Sequence, residues 1–299
     1  MLPDAFVQTV LDVHGEKGAT WLAGHPARLA RFAERWTLEI GAPFALSYNY
    51  VAPATRSDGT PVVLKLGVPC DEIATEVAAL QLYDGRGMAR LLAVDEDEGA
   101  LLLECVQPGA PLSALADDDE ATRRAAQVMA TLWRPLPADH PFPSVTKWAK
   151  ALDRLRAAYG GGTGPLPAQW VDRAEGLFRE LFATAAPDVL LHGDLHHYNI
   201  LAARRSPWLA IDPKGVAGEP AYETGALLRN PVPQVVTWPD LPRIQARRVD
   251  ILAEMLGFER ERIVGYGVAQ AVLSAVWSLE DHDDGGQPML TIADALLRR

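Results

Sequence analysis

The hydrophobic pattern divides the chain into a strand-rich first third and a helical remainder. Residues 1–35 have loosely helical apolar spacing and predict one or two short helices. Short apolar runs around turn signals, including the pair Asp58-Gly59, then predict antiparallel strands in 36–44, 45–54 and 61–68. Two further strands are predicted at 88–94 and 100–106, on either side of an acidic turn. The first third is thus expected to hold about five antiparallel strands.

A single helix is predicted among these strands, over residues 71–83. Ile73, Val77 and Leu80 follow one another at the spacing of a helix face that is buried. Asp71 is the predicted N-cap, and the glycines at 85 and 87 are predicted to end the helix.

The segment 107–111, Gln-Pro-Gly-Ala-Pro, breaks the strand pattern and marks the predicted lobe boundary. Helices are predicted after it at 121–133, 145–159, 167–184, 241–256, 260–281 and 287–298, with a small hairpin around 189–215. The predicted class is α+β in two lobes, an N-terminal lobe of residues 1–106 and a larger, mainly helical lobe of residues 107–299.

Composition limits which classes of molecule this protein is expected to bind. The chain has 28 Lys and Arg residues against 39 Asp and Glu residues, a net charge of −11. Such a balance disfavours nucleic acid and suits a cationic small molecule. The two cysteines cannot form a disulfide framework, and the N-terminus does not resemble a signal peptide. No apolar run approaches the ~18 residues of a membrane span, so we expect a cytoplasmic protein without a membrane partner.

The strongest chemical signal is the segment HGDLHHYNIL, residues 192–201. Apolar residues flank it, which places Asp194 and Asn199 on a loop between buried segments. A carboxylate there can accept a hydroxyl proton, and the amide oxygen can bind a metal ion. Asp212 follows another apolar segment and precedes Gly215, as expected of a second Mg²⁺ ligand. A base, an amide and a carboxylate in this order are typical of phosphoryl transfer.

Two other interpretations of this segment stay open. His192, His196 and His197 could be zinc ligands, although the chain lacks the H-E-x-x-H spacing. The loop could also be purely structural, with its histidines in a satisfied polar cluster.

The N-terminal lobe offers an independent test of the phosphoryl-transfer interpretation. Lys65 is the only charge in the apolar strand VVLKL, and Glu76 shares the buried face of the predicted helix. A buried carboxylate needs a partner, and Lys65 is the obvious one. The pair fits a phosphate-binding lysine and the carboxylate that orients it. A plain structural salt bridge, or a lysine that reaches out to solvent, is the alternative.

The chain resembles the aminoglycoside and hydroxyurea phosphotransferase family, which has a protein-kinase-like fold. The resemblance rests on HGDLHHYNIL followed by IDPKGVAGEP, on SYNYVAPATRSDGTPVVLKLG and on YGVAQAVLSAVWSLEDHD. It runs from about residue 36 to the end of the chain. It implies an enzyme that uses ATP and Mg²⁺ to phosphorylate a hydroxyl of an aminoglycoside, streptomycin first among them.

The resemblance also implies the roles of individual residues. Asp194 would be the catalytic base, while Asn199 and Asp212 would hold Mg²⁺. Lys65 would contact the α- and β-phosphates, oriented by Glu76. The backbone of the hinge at Glu104, Cys105 and Val106 would bind adenine.

The sequence departs from protein kinases in three respects. No G-x-G-x-x-G covers the phosphates, no Lys stands two residues after Asp194, and no activation loop fits between Gly215 and Glu219. The phosphate lid is therefore left open. Ser47 and Tyr48 in the first turn are candidates for nucleotide contacts, and the alternative is that they are ordinary strand residues.

The acceptor site is predicted from charge alone. Carboxylates that could bind a cationic acceptor are Glu219 and Glu223 after the metal segment and Glu280 and Asp281, with Asp283 and Asp284, near the C-terminus. The last group could equally be a solvated helix end, and Trp277 could line the pocket or belong to the core. Arg204 and Arg205 are expected to form a solvated turn.

Three functions remain in view at this point. The first is an aminoglycoside kinase, and the second is the same fold acting on hydroxyurea, a sugar or a choline-like metabolite. The third is a non-catalytic nucleotide-binding protein. The sequence leaves the oligomeric state open.

Overall fold

Strands fill the first lobe in the computed structural model, which describes residues 2–281 and 286–298. Its strands are β1 (Leu38–Ile40), β2 (Tyr50–Arg56), β3 (Pro61–Leu66), β4 (Leu91–Asp95) and β5 (Ala100–Glu104). Within the described residues they form one antiparallel sheet in the order β1-β2-β3-β5-β4. The predicted five-stranded arrangement is confirmed. Strands β1 and β2 are shorter than predicted because residues 41–49 form a turn between them.

The N-terminal segment is helical, as predicted, but longer than the short helices expected there. Helix α1 (Asp4–Arg35) runs for 32 residues and kinks at Gly15, whose φ of 54° lies in the left-handed region. Phe6 and Phe32 are buried in one cluster with Leu64 of the sheet, so α1 covers one sheet face. Its length comes from this tertiary packing, which helical spacing alone does not reveal.

Helix α2 (Asp71–Tyr83) has the predicted bounds and the predicted buried face. Its N-cap is Cys70 rather than Asp71, and Asp84 ends it in the left-handed conformation with φ 48°. The prediction of the cap was therefore wrong by one residue. Asp71 still lies in the first turn, where its negative charge interacts favourably with the helix dipole.

Helices make up most of the second lobe. They are α3 (Asp118–Leu132), α4 (Val145–Ala149), α5 (Ala151–Ala158), α6 (Ala168–Ala183), α7 (Thr224–Leu228), α8 (Leu241–Leu256), α9 (Arg260–Glu280) and α10 (Gly286–Leu297). The single helix predicted over 145–159 is divided at Lys150 into α4 and α5. By length and composition α9 could cross a membrane, but 67% of its apolar window is buried inside the protein, as in a core helix.

Two small sheets position the loop of residues 192–199. Their strands are β6 (Pro108–Pro111), β7 (Arg134–Pro135), β8 (Val189–Leu191), β9 (Ile200–Ala203), β10 (Trp208–Ala210) and β11 (Val216–Gly218). The orders are β10-β9-β6 and β11-β8-β7. The loop leaves one sheet at β8 and enters the other at β9, so both of its ends are fixed. Strands β6, β7 and β11 were not predicted, because each is too short for a period-2 pattern.

We expect Phe32→Ala to lower the free energy of unfolding by about 3–5 kcal/mol, because it opens a cavity between α1 and the sheet. Phe32 is fully buried, whereas Val13 of the same helix is 48% exposed, so Val13→Ala is the matched control. Urea unfolding measures both changes. Equal, small losses in the two variants would show that α1 does not contribute to the core.

Candidate active site

His192 fastens the catalytic loop to the segment that carries Asp212. Its Nε2 lies 2.8 Å from the carbonyl of Ile211, and its Nδ1 accepts the backbone N–H of Asp194 at 3.2 Å. The carbonyl of His192 accepts the backbone N–H of Lys214 at 2.8 Å. Burial lowers the pKa of His192 to about 4, which keeps the ring neutral with the proton on Nε2. The first histidine of the motif is therefore a structural link.

Gly193 and Glu223 hold the start of the loop in place. Gly193 has φ +87°, and a Cβ on it would meet the Trp148 ring at 2.9 Å. The carboxylate of Glu223 accepts the backbone N–H groups of His192 at 2.7 Å and Gly193 at 3.0 Å. Burial raises the pKa of Glu223 to about 7. Because only 1% of Glu223 is exposed, we reassign it from the acceptor site to the support of the loop.

The carboxylate of Asp194 is contacted on both oxygens. Arg229 donates to Oδ1 at 2.7 Å, and Nε2 of His196 lies 3.4 Å from Oδ2. Burial alone would raise the pKa of Asp194. The hydrogen bond and charge of His196, with the cations Arg229 and Lys214, outweigh it and hold that pKa well below its usual range. Asp194 is therefore an ionised acceptor.

The adjacent histidines of the motif point to different places. His196 faces Asp194, whereas His197 is buried and lies 3.3 Å from the guanidinium of Arg248. No group of three or more His, Cys, Asp or Glu side chains suited to a metal ion occurs in residues 2–281 and 286–298. The arrangement gives the zinc interpretation no ligand set in that part of the chain.

Asn199 and Asp212 offer oxygen atoms of the kind that Mg²⁺ prefers. The amide nitrogen of Asn199 donates to the carbonyl of Asp194 at 3.0 Å, which leaves the amide oxygen as the ligating end. Asp212 adopts φ 59°, an unusual conformation for a residue other than glycine. Mg²⁺ at a nucleotide site is held by one or two such side chains together with phosphate oxygens, so the residues present fit that ion.

Lys65 joins the two lobes through a buried charge cluster. Its ammonium lies 2.7 Å from each carboxylate oxygen of Glu76 and also contacts Asp212. The predicted partnership of Lys65 with Glu76 is thus present. The Lys65 charge holds the pKa of Asp212 well below its usual range, whereas burial raises the pKa of Glu76 to about 7. Lysine and metal ligand are therefore adjacent in space.

Lys214 is a second cation in the cleft, and it was missed from the sequence. Its ammonium contacts Glu72 in the first turn of α2, and its carbonyl accepts the Thr75 hydroxyl at 2.9 Å. Burial lowers the pKa of Lys214, but Asp212 and Glu72 outweigh it and raise that pKa overall. Lys214 therefore remains charged. Its position two residues after Asp212 was the available signal.

Arg205 binds Glu104, the first residue of the predicted hinge. Glu104 ends β5, and its carboxylate accepts from the guanidinium of Arg205 at 2.8 Å and 3.1 Å. The same guanidinium donates to the carbonyls of Gly85 at 2.6 Å and Met88 at 2.8 Å. Arg205 lies in an exposed turn, as expected. Its guanidinium also links this β9–β10 turn to Glu104 at the end of β5.

Cys105 and Val106 follow Glu104 and are half-buried. Ser47 is exposed in the turn of residues 41–49. In the same turn the Tyr48 hydroxyl donates to Asp281 of the second lobe at 3.5 Å. The first turn and the end of α9 therefore meet across the cleft.

The other predicted acceptor carboxylates have different surroundings. Glu219 is buried and is bound by Arg262 and, at 2.9 Å, by the Tyr266 hydroxyl. Burial and this pairing remove it from the acceptor contacts that we propose. Glu280 is paired with Arg154 through two hydrogen bonds of 2.8 Å at the surface. Asp283 and Asp284 lie outside the described residues.

Two tryptophans lie beside the catalytic loop. Trp277 packs edge-on against Trp148 with ring centroids 5.7 Å apart, and Trp148 in turn closes over Gly193. Trp277 is half-buried, which is intermediate between the two alternatives expected for it, a pocket wall and the core. Trp148 carried no sequence signal, because its contact with the loop depends on how α4 packs.

Lowering the pH should selectively remove the contribution of His192 to stability. The folded chain binds this proton only near pH 4, whereas the unfolded chain binds it near pH 6.5. Stability from the neutral ring is thus present above pH 6.5 and lost as the pH falls toward 4. We expect the advantage in unfolding free energy of the wild type over His192→Gln to shrink by about 3 kcal/mol between pH 7 and pH 4. Urea unfolding at both pH values measures it, and a constant advantage would contradict the assignment.

Comparison with known proteins places the chain in a family. Residues 35–282 match the aminoglycoside/hydroxyurea antibiotic resistance kinases. The chain is 32% identical to the streptomycin 6-kinase of Streptomyces glaucescens, over 99% of this chain and 96% of the relative. It is 34% identical to the hydroxyurea phosphotransferase of Kitasatospora aureofaciens, over 100% of this chain and 86% of the relative.

A solved choline kinase from Streptococcus pneumoniae has a similar fold. Its TM-score is 0.65 at 14% identity, and the match covers 91% of this chain and 99% of the other. The same choline kinase has been solved with AMP. The protein-kinase-like α+β fold and the family resemblance are confirmed, and the non-catalytic alternative is set aside. The chain is a phosphotransferase that belongs to the aminoglycoside/hydroxyurea antibiotic resistance kinases.

Proposed function

We propose that this phosphotransferase uses Mg²⁺ to transfer the γ-phosphate of ATP to a hydroxyl of streptomycin, at position 6. The observation that supports it best is the joint placement of Lys65, Asp212 and Asp194 at one cleft, in a chain similar to streptomycin 6-kinases. These groups supply a phosphate-binding cation, a metal ligand and a proton acceptor, which are the parts that phosphoryl transfer needs.

The nucleotide lies between the two lobes in this proposal, with the boundary between residues 106 and 107. Lys65 contacts the α- and β-phosphates, and the Glu76 carboxylate, 2.7 Å away, keeps its ammonium in place. The backbone of Glu104, Cys105 and Val106 binds adenine, and Ser47 faces the phosphates from the first turn. Arg205 supports this assignment because it fixes the strand that leads into the hinge.

Asn199 and Asp212 hold the metal ion. When bound, Mg²⁺ neutralises charge on the phosphate oxygens. Lys65 prepares the site by keeping Asp212 ionised, as the lowered pKa of Asp212 indicates. Asn199 contributes by tying the metal site to the backbone of Asp194, so that ligand and base keep a fixed separation.

Asp194 orients the acceptor hydroxyl and receives its proton. The acceptor oxygen bonds to the γ-phosphorus while the bond to the β–γ bridging oxygen breaks, and that electron pair leaves with ADP. The rate gain comes mostly from positioning and charge stabilisation, since the transition state is loose. The fixed loop geometry around Gly193 and Glu223 supports that role.

The acceptor lies on the side of the cleft where Tyr48 meets Asp281. Asp281 at the end of α9 supplies negative charge suited to guanidino groups, whereas Glu280 beside it is paired with Arg154. The Trp148–Trp277 pair forms the apolar wall next to the loop.

Hydroxyurea is the second candidate acceptor. Both Arg229 and Lys214 place positive charge near Asp194, and a small neutral acceptor avoids repulsion from them. The 34% identity to a hydroxyurea phosphotransferase points the same way. The two acceptors share the mechanism and differ only in what fills the far side of the pocket.

A coupled ADP-release assay with Mg-ATP tests the reaction. We expect streptomycin to stimulate ADP release, and Asp194→Asn to lower turnover by roughly 10²–10⁴-fold because the proton acceptor is lost. Asp172→Asn is the control, since Asp172 is a largely exposed aspartate that pairs with Arg156 away from the cleft. Release stimulated by hydroxyurea alone would transfer the proposal to that acceptor. Full activity of Asp194→Asn would contradict the mechanism.

Thiol alkylation tests the hinge. In a Cys70→Ser background we expect Mg-ADP to slow alkylation of Cys105 several-fold, because adenine would cover the backbone beside it. Cys70 in a Cys105→Ser background is the control, since it lies at the N-cap of α2. Mass spectrometry follows the modified fraction with time. Equal rates with and without nucleotide would place adenine elsewhere.

A further inference from the structure

Arg229 is the feature of the site that the family motifs leave unexplained. It follows α7 directly, is only 9% exposed, and donates from Nη2 to Oδ1 of Asp194 at 2.7 Å. A buried ion pair is a poor source of net stability, because desolvation of the two charges offsets their attraction. Its value here therefore lies in where it places the carboxylate.

The guanidinium is itself held by a second side chain. Its Nη1 donates to Oε1 of Gln270 at 3.0 Å, and the Gln270 amide nitrogen donates to the carbonyl of Tyr222. Gln270 is buried on α9. It passes close over Gly225, where any Cβ would collide with its amide. Gln270, itself fixed in the core of the second lobe, thus holds the guanidinium that contacts Asp194.

The two carboxylate oxygens of Asp194 are left unequal. Oδ1 is held by a short, charge-assisted hydrogen bond from a fixed fork. In the described part of the chain, Oδ2 has the longer 3.4 Å contact with His196. Oδ2 is therefore the less firmly held oxygen, and 26% of the Asp194 side chain is exposed.

We propose that Arg229 is a positioning residue that anchors Asp194 through Oδ1 and thereby presents Oδ2 to the acceptor hydroxyl. The inference rests on the proposed function, in which Asp194 receives the acceptor proton. In the step itself the O–H bond breaks and its proton passes to Oδ2. The acceptor oxygen bonds to the γ-phosphorus, and ADP leaves with the electron pair of the broken P–O bond.

Anchoring of this kind suits phosphoryl transfer. In a loose transition state the carboxylate serves mainly to aim the hydroxyl, so a neighbouring guanidinium costs little in basicity. Misplacement by about 1 Å, in contrast, can cost about 10²-fold in rate. Arg229 therefore contributes to turnover without touching the substrate.

Steady-state kinetics of Arg229→Met and Arg229→Lys, with streptomycin or hydroxyurea as acceptor, tests the proposal. We expect Arg229→Met to lower kcat by about 10²-fold with KM for Mg-ATP unchanged, since only the aim of Asp194 is lost. Arg229→Lys should recover about tenfold of that loss, because an ammonium can still hold Oδ1. In an Asp194→Asn background, Arg229→Met should have no further effect on kcat, as expected of two residues acting as one unit.

Arg262→Met is the stability control. Arg262 also pairs with a buried carboxylate of the same lobe, that of Glu219. It should lower the melting temperature and leave kcat unchanged. A thermal shift with Mg-ADP verifies that each variant retains its nucleotide site.

Three results would overturn the inference, and they separate its failure from failure of the proposed function. Unchanged kcat in Arg229→Met beside an inactive Asp194→Asn, or equal losses in Arg229→Met and Arg262→Met, would refute the role of Arg229 alone. A wild-type chain that releases no ADP with streptomycin or hydroxyurea would refute the proposed function, and this inference with it.

Discussion

A buried ammonium shared by two carboxylates, one from each lobe, is the constraint on which the rest of the site depends. Lys65 belongs to the sheet, Glu76 to α2, and Asp212 to the second lobe. Charges removed from water are tolerated only when they are fully paired. The pairing therefore sets the distance between the lobes. It also requires Gly215, because a Cβ there would come within 2.8 Å of the α2 backbone.

The second lobe contributes rigidity to this arrangement. The catalytic loop is bound mostly through its backbone, by the Glu223 carboxylate and the neutral ring of His192. Such contacts do not depend on the substrate, so the loop holds its shape before any ligand arrives. Groups held in this way need no reorganisation during the reaction, which is the main advantage of a preorganised site.

The sequence allowed those parts of the structure to be predicted that have local signals. The bounds of α2, the antiparallel sheet and the contact of Lys65 with Glu76 follow from periodicity and from the need to pair a buried charge. The length of α1 was underestimated because tertiary packing sustains it. Arg229 was missed because it lies 35 residues from Asp194 and meets it only when α7 folds back over the loop. Glu219 and Glu223 are buried, which charge alone does not reveal.

The hydrogen bonds of Arg205 have a mechanical consequence. One guanidinium on the β9–β10 turn binds the carboxylate of Glu104 and two carbonyls of the first lobe. Several hydrogen bonds therefore join the lobes at this edge of the cleft. These hydrogen bonds oppose separation of the lobes at that edge. Elsewhere between the lobes, the Tyr48 hydroxyl donates a long hydrogen bond of 3.5 Å to Asp281. Opening of the cleft is therefore expected at the Tyr48–Asp281 contact rather than at the hydrogen bonds of Arg205.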